Sequence, residues 1–218
     1  MRIRWYGQSA FLLSGTERVF IDPFGDLGES ARARGMEFGY PPIDAQADVL
    51  LVTHEHADHN AVDAVTGEPA VFRATPGRFA SPIGEIVGVA SEHDDLAGTA
   101  RGANTIFRFT LDGLRFCHLG DFGQAALRPE QRAAIGAVDV LFVPAGGGPT
   151  IGGEPAAAVV RAIGPRVVVP MHYRTERVNF LDPPDAFLAA IGLPVAKAGS
   201  SEVEVDAETE GVVLLATP

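Results

Sequence analysis

The chain has 218 residues, 46% of them hydrophobic and 21% charged, and 28 acidic against 17 basic side chains leave a formal net charge of −11. That is the balance of an ordinary soluble globular protein able to bury its own core, and it weighs against nucleic acid, whose partners usually present a basic face. No window approaches the roughly 18 consecutive apolar residues of a membrane helix, and the single cysteine, Cys117, excludes an internal disulfide, so a reduced, cytoplasmic setting is expected.

In chain order, short apolar runs over 3–6, 11–13 and 18–21 read as strands of successive hairpins, the last ending in Asp22-Pro23. Gln8 and Ser9 interrupt the first apolar stretch before a signal-peptide core can develop, so a first strand is expected there. Residues 24–46 show no period and are expected to form a long surface loop with one helical turn near 29–34; loops of this length often act as lids or binding segments. Residues 49–53 are uniformly apolar, which predicts a central strand covered on both faces. Strands follow over 71–75 and 85–91, and then a hairpin in which Asp112-Gly113 joins 105–111 to 114–119.

From there the pattern changes. A helix is predicted over 129–135 with Pro129 in its first turn, then a buried strand over 138–143 and an Ala-rich helix over 154–163 stopped by Gly164-Pro165. A strand over 167–171, a helix over 184–191 and closing strands over 203–205 and 212–215 complete the chain. No linker-like tract or short repeat divides it, so one domain over 1–218 is expected, with sheets packed together and helices outside.

The six histidines are His54, His56, His59, His93, His118 and His172, and three of them fall in the run His54-Glu55-His56-Ala57-Asp58-His59, directly after the predicted central strand. Neutral imidazole is the commonest protein metal ligand. Two residues apart, His54 and His56 can point the same way if strand geometry persists, and Asp58 and His59 follow as the chain turns. Four ligands cannot complete two metal spheres, so others must arrive from elsewhere. His93, Asp121 and His172 each lie at or just past the end of an apolar run, a shared placement that predicts a metal centre.

The motif His54-x-His56-x-Asp58-His59, together with Ile21-Asp22-Pro23, Leu119-Gly120-Asp121, the stretch from Val143 to Gly147 and Pro170-Met171-His172-Tyr173, resembles the metallo-β-lactamase-fold superfamily over nearly the whole chain. The resemblance is nearest to the branch related to ascorbate-phosphate lactonase and N-acyl-phosphatidylethanolamine phospholipase. It implies an α/β four-layer αββα sandwich with two divalent metal ions at one edge, zinc first, with manganese or iron as alternatives. His54, His56 and His93 would hold one metal, Asp58, His59 and His172 the other, and Asp121 would bridge them. True β-lactamases of this fold generally lack a histidine at the position of His59 and often carry cysteine where Asp121 stands, which argues against antibiotic hydrolysis. The diiron flavoproteins replace His56 by glutamate, which disfavours redox iron chemistry.

The implied reaction is hydrolysis: a hydroxide bridging the metals attacks an ester-type bond (phosphodiester, lactone or related) of a small substrate, for which a phosphorylated molecule is a candidate. Asp58 and Asp121 are the catalytic candidates. An iron-dependent oxidoreductase and a non-catalytic metal-binding protein are the alternatives. Arg101, Asn104, Tyr173 and Arg174 are candidate substrate donors, guanidinium being suited to bidentate contact with phosphate; surface ion pairing is the plainer reading of the arginines. Asp22 is either a turn former or the orienting partner of a ligand imidazole. His118 is either a group beside the bridging carboxylate or a hydrogen-bonded core histidine. The glycine run after Ala145 either admits substrate to the backbone or makes a tight loop. A homo-oligomer is compatible with all of this.

Overall fold

The structure, a computed structural model, describes residues 1–218. The strands, in chain order, are β1 (Arg2–Gly7), β2 (Ala10–Ser14), β3 (Arg18–Ile21), β4 (Ala45–Gln46), β5 (Val49–Val52), β6 (Val65–Thr66), β7 (Ala70–Arg73), β8 (Gly77–Ser81), β9 (Gly84–Glu92), β10 (Ala103–Leu111), β11 (Leu114–His118), β12 (Val140–Pro144), β13 (Val167–Met171), β14 (Val195–Lys197), β15 (Glu202–Glu204) and β16 (Gly211–Leu214). The α-helices are α1 (Gly28–Arg32), α2 (Pro129–Ile135), α3 (Gly153–Ile163) and α4 (Asp185–Ile191). A six-stranded sheet runs β15-β1-β2-β3-β5-β7, and an eight-stranded sheet runs β14-β16-β13-β12-β11-β10-β9-β8.

Period-two alternation explains how the sheets join. Val19, Ile21, Val49 and Leu51 belong to the large core shared with Phe107, Phe116 and Phe142 of the other sheet, whereas Phe20 and Leu50 face the opposite way into a smaller core with Tyr6, Phe24 and Tyr40. All four residues of β5 are buried, so its uniform apolar run is explained by cover on both faces. On the outer side of the large sheet α3 buries Ala156, Ala157, Val159, Val160 and Ile163, positions on one helical face, and Gly164 closes it in the left-handed conformation. The sandwich therefore has the expected αββα layering, with one asymmetry. The layer outside the six-stranded sheet is built from α1 and an aromatic loop, in which Phe38 meets Phe24 and Tyr40 edge to face and Phe24 and Tyr40 pack at a tilt.

The segment over 24–46 is more ordered than a plain loop. It forms α1 and ends in β4, paired with β6, and it is tied to 175–180 by the Phe38–Val178 bridge and by Glu37 N donating to Asn179 Oδ1 at 2.9 Å. Strands β4, β6, β8 and β14 are absent from the sequence reading. No helix is long and apolar enough to cross a membrane.

Candidate metal centre

Strands β3 and β5 run parallel, as do β11, β12 and β13, so their carboxyl ends gather at one edge of the sandwich. That crevice is where open α/β sheets commonly place ligands. Three side chains there sit on left-handed backbone just past a strand: Gln8 after β1 (φ 49°), Asp22 after β3 (φ 50°) and His172 after β13 (φ 49°). Non-glycine residues pay for that conformation, and such strain gathers at functional sites.

Seven side chains converge. His54, His56 and His93 present one ring nitrogen each within 4.8 Å of one another, and Asp58, His59 and His172 form a second group on the same criterion. Asp121 stands between them: its Oδ2 lies 3.1 Å from His93 Nε2, 3.4 Å from His59 Nε2 and 3.2 Å from His172 Nε2. Close backbone approach makes this convergence feasible. Gly120 (φ 57°) lies so near Thr53 that a Cβ there would come within 2.7 Å of the threonine Cβ. Gly146 likewise packs on the backbone of His172 and Tyr173, so the first residue of the glycine run serves a tight loop.

Hydrogen bonds on the outer side of the cluster fix the tautomers of three rings. Thr53 Oγ1 donates to Asp22 Oδ2 at 2.7 Å, so it accepts from His54 Nδ1 at 3.0 Å and leaves His54 Nε2 without a proton. His59 Nδ1 donates to Asp22 Oδ2 at 3.0 Å, and His93 Nδ1 donates to the Pro149 carbonyl at 3.0 Å. In the neutral rings, the Nε2 lone pairs of His59 and His93 therefore point at carboxylate oxygen of Asp121, while that of His54 meets His56 Nδ1 at 3.0 Å. Acceptors facing acceptors repel unless a proton or a cation lies between them. His59 Nε2 is buried with no hydrogen-bond partner, while carboxylate oxygens of Asp121 and Asp58 lie 3.4 and 3.6 Å away. That donor set fits divalent cations, and the outer partners are of the kind that orient metal-binding imidazoles.

The electrostatics agree. Burial pushes His54 down to about 2, with His59 adding to the effect, and burial also lowers His56 and His172. These rings are held neutral, as ligands must be. For His59, burial acts downward but is outweighed by Asp121, Asp58 and Asp22, which hold it well above its ordinary value. Burial would raise Asp121, yet the imidazoles of His172 and His59 keep it well below the usual carboxylate range. The site thus holds buried carboxylates as anions and demands compensating positive charge.

The remaining candidates separate clearly. Asp22 accepts from Thr53 N and Thr53 Oγ1, both at 2.7 Å, as well as from His59, so it orients rather than merely turns. His118 is fully buried; its Nε2 donates to the Ser9 carbonyl and its Nδ1 accepts from Gly120 N, which makes it a hydrogen-bonded core residue. Asn104 is not available to substrate: its Nδ2 donates to Ser91 Oγ and Leu119 O, and its Oδ1 accepts from Asp121 N. It scaffolds Asp121 instead. Tyr173 is buried against Trp5 with ring centroids 5.3 Å apart, because successive side chains point to opposite sides of the chain. Arg174 is turned toward the Leu181 carbonyl, so neither residue lines the cleft above the cluster. Arg101 does line it.

Sequence reasoning missed Gln8, Ser9, Thr53 and Pro149. Gln8 Nε2 donates to Asp58 Oδ2 at 3.3 Å and Ser9 Oγ donates to Asp121 Oδ1 at 3.3 Å. The available signal was the polar Gln8-Ser9 pair standing between two apolar strands.

Residues 2–172 match the family model described as the beta-lactamase superfamily domain. The chain is 31% identical over 201 residues to a UPF0173 metal-dependent hydrolase of Thermococcus kodakarensis, covering 80% of this chain and 85% of that protein. It is 29% identical to a UPF0173 metal-dependent hydrolase of Archaeoglobus fulgidus, in an alignment covering 94% of each. Among solved structures it resembles a candidate Zn-dependent hydrolase of the metallo-β-lactamase superfamily from Thermotoga maritima, with TM-score 0.79, 31% identity, and coverage of 98% of this chain and 97% of that one.

Proposed function

This chain belongs to the metallo-β-lactamase superfamily of metal-dependent hydrolases, and we infer that it holds two divalent cations and hydrolyses an ester-type bond of a small substrate. His54, His56 and His93 would hold one ion and Asp58, His59 and His172 the other, with Asp121 shared. Zinc is the first candidate, since N/O donor sets of this kind suit it, and manganese or iron are accepted by the same ligands. The observation that carries the reading is the inward aim of the Nε2 atoms of His54, His59 and His93, whose Nδ1 atoms are engaged on the outer side by Thr53, Asp22 and Pro149.

When bound, such cations bring the pKa of water toward neutrality and offset charge that develops on the substrate oxygen. The chain's own residues do the rest. Asp58 is part-exposed, its side chain 25% accessible, so its carboxylate can reach both the cluster and the cleft to position a water and take its proton. Gln8 holds that carboxylate in place. Asp121, buried and anionic, keeps the imidazoles around it in register.

The test is an activity panel of lactones, phosphodiesters and thioesters with the metal-loaded protein and with His56→Ala. His56 is exposed, so its removal should spare the fold. Turnover lost with an unchanged circular dichroism spectrum is the expected result. Retained turnover in the variant would place the chemistry elsewhere.

A further inference from the structure

The cleft over His56, Asp58, Asp121 and His172 has a volume of about 640 Å³, and its far wall comes from the segment between β3 and β4. Leu27, Met36 and Phe38 form an apolar face there, with Phe180 beside them. Leu27 and Phe38 also line a second cavity of about 360 Å³, whose other walls include Phe24, Tyr40 and Ile43. The two spaces therefore share one apolar partition. Two cations, Arg34 and Arg101, line the metal cleft, and neither guanidinium takes part in an ion pair or hydrogen bond of the structure. Arg73 and Arg128 are paired, with Glu55 and Glu92, whereas Arg32 and Arg177 are unpaired but lie outside the cleft lining. A chain of net charge −11 has carboxylates to spare, so two unpaired guanidinium groups at one cleft point to an anion supplied from outside.

We propose that the substrate is an anionic amphiphile, whose carboxylate or phosphate is met by Arg34 and Arg101 and whose apolar chain lies along Leu27, Met36, Phe38 and Phe180. The hydrolase reading enters only in placing the scissile bond over the metal cluster. The apolar partition gives chain-length dependence: each buried methylene contributes about fourfold in affinity. The arginines give selectivity, because loss of one charge-assisted hydrogen bond weakens binding about tenfold or more.

The experiment is calorimetric titration of the full chain with n-hexyl phosphate, n-hexanol and inorganic phosphate. Hexyl phosphate should bind at least tenfold more tightly than either part. Arg34→Gln and Arg101→Gln should each weaken it about tenfold, and Phe38→Ala should weaken hexyl phosphate while leaving inorganic phosphate unchanged. Undiminished binding to the double glutamine variant, or hexanol binding as tightly as hexyl phosphate, would overturn the proposal. A kinetic arm compares p-nitrophenyl hexanoate with the mono-p-nitrophenyl ester of adipic acid on the metal-loaded enzyme. The arginine variants should raise KM for the anionic ester alone, with kcat within about twofold. If neither ester nor any member of the lactone, phosphodiester and thioester panel is turned over while the binding pattern holds, the hydrolase reading fails and the anionic-amphiphile site stands.

Discussion

Asp22→Asn tests the tautomer argument with a near-isosteric change. The native carboxylate accepts from Thr53 N and Thr53 Oγ1 at 2.7 Å and from His59 Nδ1 at 3.0 Å. In the variant the amide oxygen can still accept from Thr53 N, but the amide N–H groups face the threonine hydroxyl and His59 Nδ1. In the neutral form needed for metal binding, His59 then accepts at Nδ1 and keeps its proton at Nε2, the atom aimed at Asp121 and Asp58. A metal must displace that proton. Loss of an orienting partner of this kind costs about 10–100-fold in metal affinity, or about 1.4–2.8 kcal/mol. Weakened charge-assisted bonds remove a further ~2–3 kcal/mol from the stability of the metal-free fold. Competition against a chromogenic chelator reads the first quantity, and thermal unfolding of metal-free protein reads the second. Wild-type affinity for every bound equivalent in Asp22→Asn would refute the reasoning.

Other outcomes follow from the same geometry. Gln8→Leu should weaken binding of the ion held by Asp58 about tenfold without lowering Tm, because it removes the bond to Asp58 while relieving Gln8 Oε1, which is buried without a partner; an unchanged chelator titration would contradict this. Cys117 is fully buried and burial pushes its thiol up to about 12, so thiol reagents at about pH 8 should label it only as fast as the protein unfolds. Rapid native-state labelling would show the core there to be open. Asp139 is held at about 2, against an ordinary 3.8, chiefly by its hydrogen bonds from the Arg115 side chain. A depressed folded-state value means a contribution present above pH 3.8 and lost as pH falls toward 2. Asp139→Asn should therefore flatten the loss of stability in that window, as read by urea unfolding at stepped pH.

Much of this was legible because the informative residues sit at strand ends. The uniform run at Val49–Val52, the Asp112-Gly113 turn and the Gly164 stop each specify local geometry, and the structure uses all three. The histidine run and the positions of His93, Asp121 and His172 announced a cluster before any contact was visible. Direction was less legible than position. Tyr173 and Arg174 adjoin His172 in sequence, but the left-handed turn at His172 and the alternation of side chains send them into the Trp5 core and toward Leu181. Asn104 looked like a donor for substrate and instead spends its amide on Ser91, Leu119 and Asp121. The missed strands are short or exposed: all three residues of β14 are accessible, and β8 is an edge strand carrying little apolar signal. The order of 24–46 comes from partners over a hundred residues away, such as Asn179, which no local pattern encodes.

The most direct measurement is anomalous diffraction from crystals of zinc-loaded protein, collected on both sides of the metal edge. Two peaks per chain are expected. One should lie within about 2.0–2.1 Å of ring nitrogens of His54, His56 and His93, the other should contact Asp58, His59 and His172, and Asp121 should touch both. A single peak, or metal bound away from the His54–His59 segment, would contradict the account.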